Sequence, residues 1–119
     1  MSDLTFFEKM KLEKQFQMGG GYVLDFSNRT FTEFIADTIG RDIYDAKYEI
    51  NGNSKANRLR AFWMKDSNYL VGKVINDLLE YSKPKSTDIE QNQLFDDCKK
   101  IDSRLLQNTP VEAIDAIIP

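Results

Sequence analysis

Apolar residues recur through most of this chain at the three- and four-residue spacing that gives a helix one greasy face. Residues 3–17 read as a first helix, with Ser2 as N-cap and Phe6, Phe7, Met10 and Phe16 as its inward stripe. Gly19, Gly20 and Gly21 end it. Tyr22 to Phe26 is too short and too apolar for a free loop, so an extended segment crossing the core is expected there. A lone segment of that kind cannot make a sheet.

Thr30 with Glu33 three residues on has the spacing of a capping box, and Phe31, Phe34, Ile35 and Ile39 then share one helical face before Gly40 stops it. Residues 41–53 carry turn formers at Asn51, Gly52 and Asn53 and read as an ordered connection with one short helical turn. Ser54 caps the next helix, which ends near Asp66. It places Ala56, Leu59, Phe62 and Trp63 inside and Lys55, Arg58 and Lys65 outside. Asn68 caps residues 69–82, where Leu70, Val71, Val74, Ile75, Leu78 and Leu79 make the most regular apolar face in the chain. Pro84 closes that helix by removing a backbone donor and disfavouring helix at the residue before it.

A longer helix from Asp88 to Gln107 aligns Phe95, Cys98, Ile101 and Leu105. Thr109 and Pro110 then open a last turn over residues 111–118. The pattern therefore predicts an all-α fold, a compact bundle of about five to six helices. Its core is expected in residues 1–85, with 86–119 as a helical extension or connector. The apolar ending Ala116, Ile117, Ile118, Pro119 reads as a cut from something longer.

Composition narrows the function classes. At 119 residues, 41% hydrophobic and 29% charged, the chain suits one folded domain that buries roughly 65% of its unfolded surface. No apolar run approaches the ~20 residues that span a bilayer, and the N-terminus has neither a signal peptide's apolar stretch nor a transit peptide's lack of acids. A cytoplasmic protein with no membrane contact is expected, and the single Cys98 agrees. The net charge of −3 is uneven: residues 41–85 hold 9 bases and 6 acids, whereas 86–119 hold 3 and 7. That asymmetry can steer an anionic partner to the middle or let the tail neutralise it.

Catalytic chemistry has little to draw on. The chain has no histidine, so the usual nucleophile and base sets are missing, and one cysteine cannot supply a zinc site. Cys98 reads as a buried thiol, and Asp96, Asp97 and Asp102 as a solvated face lacking a calcium loop's spacing. The three glycines lack the Lys-Ser or Lys-Thr of a phosphate loop. No catalytic residue, metal or cofactor is expected. Lys55, Arg58 and Arg60 at a helix start, with Lys65 and Lys73 beyond, are the candidate binding residues, because helix-start amides and nearby cations favour anions. A solvated basic face is the plainer reading of them. Phe62 and Trp63 continue the Leu59 face into the core. A DNA-reading helix pair over 54–82 is disfavoured, since Asp77 and Glu80 would meet phosphates.

The stretches GGGYVLDFSNRTF, SKANRLRAFW and VGKVINDLLEYSKP resemble the N-terminal region of bacterial abortive-infection proteins of the AbiJ-like kind, over roughly residues 16–84. That resemblance implies a small helical sensing or adaptor module in phage defence, joined to a C-terminal effector, often nuclease-like. Nothing here resembles the effector's catalytic residues. The expected role is recognition of a protein partner or sibling subunit through the basic turn from Lys55 to Arg60. Reversing Arg58 and Arg60 to Glu is then expected to abolish partner capture and leave the melting temperature within a few degrees. The alternative is a nucleic acid or nucleotide signal bound by the same turn.

Overall fold

The computed structural model describes residues 2–84 and 87–107, and within them the chain is all-α. Five helices are present among the described residues: α1 Phe6–Gln15, α2 Asn28–Ile39, α3 Lys55–Lys65, α4 Asn68–Tyr81 and α5 Ile89–Gln107. Short 3-10 turns lie at Met18–Gly20 and Ala46–Tyr48. The turn expected over residues 111–118 lies outside the described residues.

The helix starts follow from hydroxyl and carboxylate chemistry. Thr5, not Ser2, caps α1: its hydroxyl accepts from Glu8 N, and the Glu8 carboxylate accepts from Thr5 N. Ser2 instead donates to the Trp63 carbonyl and ties the N-terminus to α3. Ser27 caps α2, with Thr30 serving as the third-position partner rather than as the cap itself. Ser54 caps α3 as expected, and Ser67 caps α4 one residue before Asn68. Gly40, in the left-handed region at φ 67°, ends α2.

One core joins all five helices. Leu12 and Phe16, Phe31 and Ile35, Leu59 and Phe62, Val71, Val74, Ile75, Leu78 and Leu79, and Cys98, Ile101 and Leu105 are all buried in it. α5, read from sequence as an extension, packs along α4 and α1 and belongs to this core. α4 and α5 approach closely at Gly72, where a Cβ would stand 3.0 Å from Leu106 and 3.2 Å from Leu105. Residues 22–26 are a turn rather than an extended strand: Leu24 sits at φ 48°, Leu24 N donates to the Phe16 carbonyl at 2.8 Å, and Phe26 N donates to the Val23 carbonyl. Val23 and Phe26 still point inward from it.

α1 is turned differently from the expected stripe. Of its four residues Phe16 is buried as expected, but Phe6, Phe7 and Met10 are 70%, 72% and 53% exposed, and Leu12 is buried in their place. Burial of Leu12 and Phe16 fits that rotation, and two ion pairs accompany it: Arg104 of α5 holds Glu8, and Arg60 of α3 holds Glu13.

Candidate functional site

The cations that the sequence nominated divide by burial. Arg58 is only 5% exposed. Its Nη1 donates to the Ile43 and Asp45 carbonyls at 3.1 and 3.2 Å, its Nη2 donates to Asn53 Oδ1 at 2.8 Å, and its guanidinium stacks 4.4 Å from the Tyr44 ring centroid. This side chain organises the 41–53 connection from beneath. Lys55, 9% exposed, donates to Asn28 Oδ1 at 3.0 Å and lies over the Tyr22 ring, which links α3 to α2. Arg60 is half-buried, with Nε and Nη2 on the two Glu13 oxygens and Nη1 on Asn57. Lys55 and Arg58 therefore do not lie on the outer face where helical spacing put them. Lys65 is exposed and Lys73 half-exposed.

The titratable groups inside the bundle are held by structure. Tyr48 is fully buried and donates to Asp66 Oδ2 at 2.6 Å; burial, then that hydrogen bond, pushes its phenol well above the ordinary range. Cys98 is fully buried, burial pushes its thiol up to about 12, and Sγ donates to the Lys11 carbonyl at 3.7 Å. Asp102 was expected on a solvated face but is 2% exposed between α4 and α5. Its Oδ2 meets Lys99 at 3.4 Å while Oδ1 has no hydrogen-bond partner, and desolvation raises its pKa. Among the described residues no group of three acids or cysteines gathers as a metal would require, and no helix is long and apolar enough to cross a membrane.

Among the described residues two surface features could receive a ligand. The first is a polar groove of about 580 Å³ where the C-terminal ends of α1 and α4 meet the start of α5. Gln15, Gln17, Leu24, Asp25, Tyr81 and Gln91 line it, with Lys14 and Lys83 among its charged groups. Gln17 and Leu24, in its wall, are the two non-glycine residues with positive φ among those described. Tyr81 donates to Asp25 across it and stacks on Phe26 at 4.6 Å.

The second feature is the outward face of α1. Phe6 and Phe7 pack edge to face at 5.6 Å, and Met10 continues the ridge one turn on. Beside the ridge runs a shallower groove of about 300 Å³ between α1 and α5, lined by Phe7, Glu8, Lys11, Asp97, Lys100, Ile101 and Arg104. Comparison of the chain with family models, curated proteins and solved structures returns no match. The chemistry of its own surface must carry the functional argument.

Sequence reasoning placed the ridge residues in the core, because Phe6, Phe7 and Met10 are the largest apolar group on that helix. A signal pointing the other way was present. Phe16, grouped with that stripe, in fact pairs four residues apart with Leu12, on the opposite side of the helix from Met10. A single helix cannot bury both sets against one neighbour layer.

Proposed function

We propose that this chain is a non-catalytic helical recognition module that docks a protein partner through the outward face of α1. The observation that supports this most directly is the ridge itself: two aromatic rings and a methionine, each more than half exposed, side by side on a helix whose other face is anchored in the core. Aromatic and methionine side chains are the residues enriched at protein interfaces, and contiguous exposure of them marks interaction sites. The resemblance to abortive-infection N-terminal regions supplies a biological setting, a sensing or adaptor module in a bacterial cell that controls an attached effector during phage infection. The nucleic-acid alternative is weakened, since Lys55 and Arg58 of its contact are engaged inside the bundle.

A plaque assay tests the reading. Cells expressing the full coding sequence that contains this chain should lower phage plating, and Phe6→Ser with Phe7→Ser should abolish the protection. The purified variant should still melt within a few degrees of the parent, because both side chains are solvent-facing. Protection unaffected by the double substitution would remove α1 from the account.

A further inference from the structure

The charges around the ridge specify what covers it. α1 carries two acids, and both are held by arginines: Glu8 bonds Arg104 at 2.6 and 3.1 Å, and Glu13 bonds Arg60 at 3.1 and 3.2 Å. Its three lysines, Lys9, Lys11 and Lys14, remain. Lys11 pairs loosely with Asp97 at 3.4 Å and stays half exposed. Among the described residues Lys9, Lys14 and, from α5, Lys100 form no ion pair. The apolar strip thus has lysines along its rim and both α1 acids engaged by arginine, while Asp96, one turn before Lys100 on α5, is an exposed acid nearby.

We infer that the ridge and its adjoining groove receive an acidic amphipathic helix of a protein partner. The partner's aliphatic face covers Phe6, Phe7 and Met10, and its carboxylates reach Lys9, Lys14 and Lys100. This is the helix-in-groove mode, in which apolar anchors supply affinity and rim charges supply selectivity and on-rate. A second copy of this chain fits less well, since it would bring its own lysines against the same rim.

The inference rests on the recognition reading and deepens it. The test uses the full chain and two labelled helical peptides that share leucines at every third and fourth position. One carries glutamates at its polar positions and the other lysines. In a fluorescence anisotropy titration the glutamate peptide should bind at least about tenfold more tightly than its twin, and its affinity should fall as salt is raised, since rim charges are screened. Phe7→Ser should remove binding without altering the helical circular dichroism, and Lys9→Glu with Lys100→Glu should turn the preference toward the lysine peptide. Equal binding of the two peptides, or none of either, overturns the inference. Association with phosphatidylserine vesicles in place of the acidic peptide overturns it in favour of lipid, and a Phe7-dependent dimer in sedimentation overturns it in favour of a second copy. If the acidic peptide fails while Phe6→Ser with Phe7→Ser still abolishes phage protection, the charge assignment falls and the recognition reading stands. If that substitution leaves protection intact, both fall.

Discussion

Arg58 occupies a helix position that spacing alone points toward water, yet it is 5% exposed, because the 41–53 connection folds over that side of α3. A guanidinium suits this position, since its planar fork reaches two carbonyls and the Asn53 side chain together while its face stacks on Tyr44. The same residue seen as a surface cation predicts that Arg58→Glu is tolerated. Seen in its packing, Arg58→Glu buries a carboxylate against carbonyl oxygens and should cost about 3–5 kcal/mol, the range found when a buried charge loses its partners. A denaturant melt of the single variant decides between the two, and loss of most of the fold's stability is the expected result. Lys55 and Arg60 follow the same logic more mildly, as links from α3 to α2 and to α1.

At the level of elements, the ends of α2 and α4 show what a capping pattern can and cannot tell. Hydroxyls at Ser27 and Ser67 take the caps that Thr30 and Asn68 also suit, and the apolar faces that follow are unaffected by the shift. Helix existence was legible because Phe31 with Ile35, and Val71 with Val74, Ile75, Leu78 and Leu79, repeat without a break. The rotation of α1 was not, since the neighbours that cover Leu12 and Phe16 and hold its acids come from far along the chain, Arg60 and Arg104 lying 47 and 96 residues from the acids they pair with. The α4–α5 seam gives a sharper check, because two principles disagree there about one substitution. Gly72→Ala should stabilise an exposed helix by about 1 kcal/mol through propensity alone. Here the new methyl meets Leu105 and Leu106 at 3.2 and 3.0 Å, and overpacking of that kind costs about 1–3 kcal/mol. The expected outcome is a net loss of stability, read as a lower denaturation midpoint at unchanged slope.

For the whole molecule, Asp102 makes stability depend on pH. Burial raises its pKa above the ordinary 3.8, with Lys99 opposing and Asp77 adding to the shift. The folded state therefore holds this proton more tightly than the unfolded chain does. That contribution is fully present below the ordinary carboxyl value and is lost as pH rises through the raised one. Asp102→Asn should accordingly stabilise the protein near neutral pH by about 1 kcal/mol, the scale of one poorly satisfied buried polar group, and the gain should vanish in acid. A pH series of thermal melts checks it; a difference of constant size would assign the effect to packing instead.

The amino-acid order by itself determined that this chain is helical, roughly where its helices run and which aliphatic stripes turn inward on α2, α3, α4 and α5, because those outcomes depend on spacing and on side chains a few residues apart. The division between surface and interior was decided only by the fold. Which cations are enclosed, why Asp102 is dry and why Phe6, Phe7 and Met10 face outward depend on ion pairs and loop coverage between residues distant in sequence. For that reason the candidate site moved from the basic start of α3 to the outward face of α1.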